Sequence, residues 1–169
     1  EGGENSMTTA GEYCMTADTW GHLAAVIHCH DREVIGYEVA LRSRAKEAER
    51  AVEAACLQRF GTLQPAGAPV LRSDNNLIFQ RRRFRQACRD SRLQQEFITP
   101  YTPEQNGMIE RFFRRLKEEC VWQHTFQTFE EARRIIRDGM QWYNQERLHQ
   151  ALGYRSLVQY RALQSTQVA

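Results

Sequence analysis

Residues 20–41 carry the pattern from which the fold is inferred: Trp20-Gly21-His22-Leu23-Ala24-Ala25-Val26-Ile27, then Glu33-Val34-Ile35-Gly36-Tyr37-Glu38-Val39-Ala40-Leu41. Both are strand-like runs of apolar, aromatic and β-branched residues, and a polar turn near Asp31-Arg32 separates them. A similar run, Thr8 to Met15, precedes them across a turn near Ala17-Asp18. Together the three runs predict an antiparallel meander.

Beyond this meander, helical patterns alternate with strands. Ala45 to Phe60 places apolar residues on one helical face, and Gly61 follows as a stop signal. Pro69 to Leu71 is a short buried strand that leads to Asp74, Leu77 to Leu93 is a second helical pattern, and Glu96 to Ile98 is a further strand. Such alternation predicts parallel strand pairing.

The chain becomes helical after Pro103. The first of these helices carries an apolar stripe, and two more helices are predicted from Phe129 to Tyr143 and from Ser156 to Leu163. The stripe consists of Ile109, Phe112, Phe113, Leu116, Cys120 and Val121. We therefore predict one α/β domain over residues 8–163, with a flexible lead at 1–7 and a tail at 164–169.

Composition is that of an ordinary globular domain. The 169 residues carry a net charge of +2, which by itself does not indicate a nucleic-acid partner. No apolar run is long enough for a membrane span and no signal peptide is recognisable, so a cytoplasmic protein is expected. The five scattered cysteines predict reduced packing thiols, and His28-Cys29-His30-Asp31 lacks the further ligands expected of a zinc site.

Two acids stand where metal-dependent chemistry on DNA would need them. Asp74 follows a strand, and Glu110 opens a helix 36 residues later. Clustered carboxylates on rigid elements hold the metal ions that drive displacement at phosphorus. For an isolated pair, however, a turn-capping aspartate and a solvated helix glutamate would be the usual explanation.

The sequence around these acids favours the metal interpretation. Phe97 to Lys117 closely resembles the strand, proline-tyrosine loop and acid-bearing helix of OrfB-type insertion-sequence transposases, whose integrase-like catalytic cores belong to the DDE recombinase superfamily together with retroviral integrases. Three further segments match in the same order: Asp31 to Gly36, Leu71 to Asn75, and Trp142 to Tyr154. The resemblance implies a ribonuclease H-like fold and two Mg²⁺ or Mn²⁺ ions, with Asp74 and Glu110 as catalytic metal ligands.

Several polar residues near the two acids are candidate nucleic-acid contacts. Arg114 and Lys117 lie four and seven positions after Glu110 and therefore share its helical face. The other candidates are Arg111, Asn75 and Asn106. The six arginines between Arg81 and Arg92 either follow a DNA backbone or form a solvated helix face. For Phe97 and Tyr101, core packing or loop anchoring is expected rather than stacking on bases.

The first acid of the DDE triad is missing. The resemblance locates it in the first strand at Thr9 or, with a one-residue shift, at Ala10, and neither residue supplies a carboxylate. Glu12 would need a different strand register to face Asp74. Asn76, Leu148 and Leu157 also depart from the family pattern. Weak or partial metal binding and little strand transfer are expected.

The resemblance implies a catalytic core for DNA cleavage and strand transfer in transposition, impaired in this copy. Its expected partners are transposon-end and target DNA, further copies of the chain, and a separate helix-turn-helix region or protein for end recognition, all in the bacterial nucleoid. One alternative is a domesticated or degenerate DNA-binding or oligomerisation module without catalysis. A ribonuclease H-like nuclease fits the motifs less well.

Overall fold

The computed structural model describes residues 6–15, 20–99, 102 and 106–167. The predicted turn at Ala17-Asp18, together with Tyr101, lies outside these ranges. Ser6 and Met7 belong to the folded domain rather than to the predicted lead, because both are buried and Met7 begins the first strand. At the other end, the last helix continues to Gln167, through most of the predicted tail.

A five-stranded mixed sheet is built from β1 (Met7–Met15), β2 (Trp20–His28), β3 (Val34–Ala40), β4 (Val70–Ser73) and β5 (Gln94–Phe97). The spatial order is β3-β2-β1-β4-β5. The pairs β1–β2 and β2–β3 are antiparallel, whereas β4 is parallel to both β1 and β5. The predicted meander and the predicted parallel pairing are both confirmed.

Six helices accompany this sheet in the described part of the chain: α1 (Ala45–Phe60), α2 (Leu77–Gln80), α3 (Arg82–Asp90), α4 (Gly107–Glu119), α5 (Phe129–Gln145) and α6 (Leu157–Gln167). Helix α1 has the predicted bounds, and Gly61 ends it in the left-handed conformation. The single helix predicted over 77–93 is wrong, because Arg81 is extended (ψ 140°) and divides it. Helix α4 ends at Glu119, so the predicted continuation to Val121 is also wrong.

The two faces of the sheet bury separate apolar clusters. On one face, Ala10, Ala25 and Ile27 pack with residues of α4 and α5, including Phe112 and Ile136. On the opposite face, Met7, Val26 and Ile35 pack with residues of α1 and α3. Successive side chains of a strand alternate between the two faces of the sheet. The cluster to which a β1 residue belongs therefore shows whether its side chain points toward α4 and α5 or toward α1 and α3.

Helix α1 approaches β3 most closely at Gly36. A Cβ added to Gly36 would lie 2.2 Å from the Ala51 carbonyl oxygen and 2.6 Å from the Ala55 nitrogen. Both of these atoms belong to helix backbone, which cannot move aside as a flexible side chain can. The glycine is therefore required by the helix–sheet packing rather than by its own backbone conformation.

Buried charges tie the β2–β3 turn to two helices. His28 Nδ1 lies 3.0 Å from Asp31 Oδ1, and Arg59 of α1 lies 2.8 Å from Asp31 Oδ2. Arg161 of α6 pairs with Glu33, whose other arginine neighbour is Arg59 at 3.9 Å. The motif at 28–31 therefore has a structural role, as predicted, and among the described residues no three His, Cys, Asp or Glu groups are placed to hold a metal ion.

The four cysteines whose side chains are described, Cys29, Cys56, Cys88 and Cys120, are free thiols, as predicted. Burial raises the pKa of Cys88 to about 12 and that of Cys56 to about 11, so both stay protonated near neutral pH. Within the same described ranges, no helix has the length and apolar character needed to cross a membrane.

Candidate active site

Asp74 lies immediately after β4, at the carboxyl end of the strand. Its Oδ1 accepts a hydrogen bond from the Asn76 backbone N–H at 2.9 Å, and Asn76 in turn caps α2 by accepting from the Ile78 N–H. Burial raises the pKa of the Asp74 carboxyl above its ordinary value, while the Asn76 N–H opposes that shift. Asp74 therefore does form the turn cap that its sequence allows, and the turn fixes the carboxylate at the sheet edge.

Glu110 lies in the first turn of α4 and is exposed. The start of α4 is held against β1 by the hydroxyl of Thr8, which donates to Asn106 Oδ1 at 2.6 Å. Asn106 is only 2% exposed, so its amide is part of this anchor, and the predicted DNA contact through it is not favoured. The anchor holds the start of α4, which includes the turn that carries Glu110, against β1.

The strand register distinguishes between Ala10 and Thr9, the two positions at which the resemblance implies the first acid. In the parallel pair, Thr9 lies opposite Ser73, so Ala10 is the next β1 residue and lies level with Asp74. Ala10 packs in the cluster that contains α4, whereas Thr9 belongs to the alternate face and donates its hydroxyl to the Ala25 carbonyl. A side chain at residue 10 therefore points toward the α4 face, and one at residue 9 does not.

Glu12 shares the face of Ala10 but has a different partner. Its Oε2 lies 2.6 Å from the Nζ of Lys117 on α4. Glu12 also lies beyond the last β1–β4 pair, which is Thr9 with Ser73. This ion pair holds Glu12 beside the later turns of α4, away from the turn that carries Glu110. It also partly neutralises the charge of Lys117.

The residues present supply an incomplete set of ligands for a two-metal centre. Asp74 and Glu110 are two oxygen donors from rigid elements, but the third element, β1, presents an alanine methyl group toward α4. Ser73 Oγ is a buried oxygen without a hydrogen-bond partner in the described part of the chain, but Ser73 lies opposite Thr9 and two residues after Leu71, so its side chain is on the α1 face of the sheet. A hydroxyl does not replace the negative charge of a carboxylate, so the chain does not match the full ligand set.

The candidate DNA contacts separate onto different surfaces. Arg114 is exposed on the Glu110 face of α4, but Arg111 is one residue after Glu110, about 100° around the helix. Asn75 donates to the Ile98 carbonyl at 3.0 Å and so links β4 to the segment after β5. Phe97 is 37% exposed and lies outside the apolar core, so of its two predicted roles core packing is wrong and loop anchoring stays a prediction.

The arginines of α3 remain open to both interpretations. All six between Arg81 and Arg92 are exposed, whereas Phe84 and Cys88 of the same helix are buried. Arg83 Nε lies 2.5 Å from Glu49 Oε2 of α1. This pair is of the kind found on a solvated helix face.

Two models of the same protein family together match most of the chain. One description, integrase core domain, applies to both, and the matches cover residues 8–103 and 82–156. The chain belongs to the integrase core domain family. The matched residues include nearly all of β1, together with Asp74 and the helix that carries Glu110, which are the elements of the candidate site.

Relatives of this integrase core include bacterial insertion-sequence proteins. An uncharacterized transposase-like protein of Haemophilus influenzae is 28% identical over 83% of this chain and 62% of its own length. A putative transposase for insertion sequence element IS150 of Escherichia coli is 26% identical over 83% of this chain and 48% of its own length. The chain thus spans about half to three fifths of the length of these curated relatives.

Solved structures confirm the ribonuclease H-like α/β fold. A chain of the simian T-cell lymphotropic virus intasome superposes with a TM-score of 0.75 at 15% identity, over 93% of this integrase core and 54% of that chain. The catalytic core domain of BIV integrase superposes with a TM-score of 0.67 at 19% identity, over 99% and 100% of the two chains. The Mos1 transposase catalytic domain, solved with Mg, gives 0.63 at 12% identity, over 82% and 78%.

Proposed function

We propose that this chain is the catalytic-core region of an insertion-sequence transposase that acts on DNA, and that strand transfer by this copy is impaired. Membership of the integrase core domain family and the transposase relatives support the first part. The second part is supported by Ala10, which takes the position level with Asp74 on the face toward α4. That single observation carries the proposal of impairment.

The two carboxylates of the site retain a proposed role in binding a divalent cation. Asp74, fixed by its own turn, and Glu110, on the helix anchored through Thr8 and Asn106, are the proposed ligands of a divalent cation. When bound, such ions activate the attacking oxygen and stabilise the leaving oxygen at phosphorus. Without an acid at residue 10, we expect the cation to bind weakly and the reacting groups to be held less rigidly.

DNA binding is expected to survive the loss of catalysis. Phosphate contacts give affinity without sequence readout, and exposed arginines such as Arg114 need no metal for them. The alternative function, a DNA-binding or oligomerisation module, rests on the same surface. The two candidate functions therefore differ in the catalytic activity that they predict, and not in DNA binding.

A strand-transfer and nicking assay on branched DNA with Mn²⁺ or Mg²⁺ tests the proposal. We expect little or no product from the unmodified chain, and a gain of product from Ala10→Asp that Glu110→Gln abolishes again. Full activity of the unmodified chain would refute impairment. DNA binding without activity in either version would favour the non-catalytic module.

A further inference from the structure

A basic cleft lies on the side of α4 turned away from Glu110. It has a volume of about 270 Å³ and is bounded by α4, the β2–β3 turn and the segment before α6. Four arginines from these three elements line it, and no Asp or Glu does so among the described residues. They are Arg32, Arg111, Arg115 and Arg147.

The arginines are held in place by neighbours outside the cleft. Arg147 makes a two-pronged contact with Glu119, with Nε–Oε2 and Nη2–Oε1 distances of 2.5 and 2.7 Å. Arg115 lies 3.0 Å from Glu118, and Arg111 Nε donates to the Gly107 carbonyl at 3.0 Å. Two carboxylates thus face four guanidinium groups, which leaves the cleft with a net positive charge.

Aromatic rings form the floor. Tyr143 makes edge-to-face contacts with Phe112 and His149, each at a centroid distance of 5.0 Å. Burial lowers the pKa of His149. The contact with the Tyr143 carbonyl raises this pKa, whereas the nearby guanidinium groups of Arg147 and Arg32 lower it further. His149 is therefore neutral at pH 7, and the positive charge of the cleft comes from its arginines.

Tyr154 stands at the rim with 66% of its surface exposed. Its backbone is left-handed (φ 56°), as is that of Gly153 (φ 64°), and the Tyr154 N–H donates to the His149 carbonyl at 3.0 Å. This turn is closed by a β-bridge between His149 and Arg155. The ring is thus held outward by backbone geometry, in a position beside the arginines.

We propose that this cleft binds a phosphodiester of the DNA backbone, with Tyr154 stacking on an adjacent unpaired base. The proposal rests on DNA being the substrate of the integrase core, as proposed above, and adds a contact site separate from the carboxylate-bearing face. Guanidinium forks match phosphate oxygens, and an exposed ring beside a basic groove is the usual arrangement for holding unpaired bases.

Equilibrium binding of fluorescent DNA to the full chain, measured by anisotropy in EDTA, tests this site. The test variant is Arg111→Gln/Arg115→Gln, and the control is Arg133→Gln/Arg134→Gln, which removes the same charge from exposed positions of α5. The control arginine Arg133 also has a glutamate three residues away in sequence, at 3.9 Å. We expect the test variant to bind at least about fivefold more weakly and to lower the salt slope by roughly 1.8, against a change of less than about twofold in the control.

A second variant, Tyr154→Asn, isolates the stacking contact, because asparagine tolerates a positive φ. It should weaken binding to DNA with a single-stranded overhang by about fivefold or more, and leave blunt duplex nearly unaffected. Equal losses in the two arginine pairs, or no loss in the test pair, would overturn the proposed site while leaving the DNA-binding function intact. If the unmodified chain binds no DNA, both proposals fail.

Discussion

Ala10 is the residue on which the account of activity depends. It lies level with Asp74 in the parallel β1–β4 pair and faces α4, yet its side chain is a methyl group. A one-residue shift in strand register moves every side chain to the opposite face, so sequence comparison alone left Thr9 and Ala10 as equal candidates. The observed register separates them, because Thr9 lies on the other face and is hydrogen-bonded to Ala25.

The ionised Asp74 carboxylate is expected to lower the stability of the folded chain at neutral pH. Burial raises its pKa in the folded chain, so the native state holds the proton more tightly than the unfolded state and stability falls as pH rises through the native pKa. We expect Asp74→Asn to raise the melting temperature at pH 7, since its amide oxygen can still accept from Asn76. Below about pH 3, where the carboxyl is protonated in both states, the gain should disappear.

Thermal unfolding of the two proteins across pH 3–7 checks this expectation. An Asp74→Asn protein that is less stable than the parent at pH 7 would mean that the carboxylate is stabilised by its surroundings. Glu96→Gln is a useful control, because Glu96 lies on neighbouring β5 in a 3.6 Å pair with Arg72 and should change the melting temperature little.

At the scale of elements, the contact of α1 with β3 sets the tightest steric limit. Gly36→Ala would force a Cβ into the backbone of residues 51–55, so we expect a loss of at least about 2–3 kcal/mol in unfolding free energy. Gly107→Ala is the matched control, since in the described part of the chain no atom other than those of its chain neighbours and its own helix backbone lies within 4 Å of the added Cβ, and alanine favours helix. Urea unfolding of both variants checks this, and equal stability of Gly36→Ala with the parent would refute the close packing.

Local signals account for the elements that were predicted well. The apolar face of 45–60 and the stop at Gly61 define α1 completely, because both signals act within a few residues. The break at Arg81 has no such signal: Asn76 caps a four-residue helix, and the next helix restarts after one extended residue. The end of α4 at Glu119 was missed because Cys120 remains buried although it is not helical.

Contacts between segments far apart in the chain could not be predicted from the periodicity of the sequence. Arg111 and Arg115 show an i to i+4 spacing on α4, but their cleft also needs Arg32 and Arg147, which come from elements far apart in the chain. The same is true of Arg59 and Arg161, whose acidic partners lie in the β2–β3 turn. Asp74 and Glu110 were recognised by family resemblance, since their spacing alone does not identify a site.

At the scale of the whole molecule, Asp31 connects the sheet to α1. Burial by itself raises the pKa of this carboxyl, but the hydrogen bond with His28, the Glu33 N–H and the Arg59 charge together lower it to about 2. A lowered native pKa contributes stability above the unfolded pKa of 3.8, and that contribution is lost as pH falls from about 4 to about 2. The free energy of unfolding should therefore fall more steeply with decreasing pH in this range.

Asp31→Asn should destabilise the chain by about 3–5 kcal/mol at pH 7, because it removes the buried carboxylate that pairs with Arg59 at 2.8 Å and leaves that arginine only the weaker contact with Glu33 at 3.9 Å. It should also flatten the acid transition. Glu38→Gln is the control, since it breaks a more exposed pair with Arg50 and should cost less than about 1 kcal/mol. Urea unfolding at pH 7 and at pH 3 provides both values. Equal effects of the two substitutions at pH 7 would contradict a central role for the buried network.

The most direct test of the account is calorimetric titration of Mn²⁺ into the unmodified chain, two single variants and one double variant. We predict weak binding by the unmodified chain, a dissociation constant at least about tenfold lower for Ala10→Asp, and no gain for Thr9→Asp, whose carboxylate would face α1. Adding Glu110→Gln to Ala10→Asp should remove the gain. Tight binding by the unmodified chain, or a gain with Thr9→Asp in place of Ala10→Asp, would contradict the assignment of Ala10 as the vacant metal-ligand position.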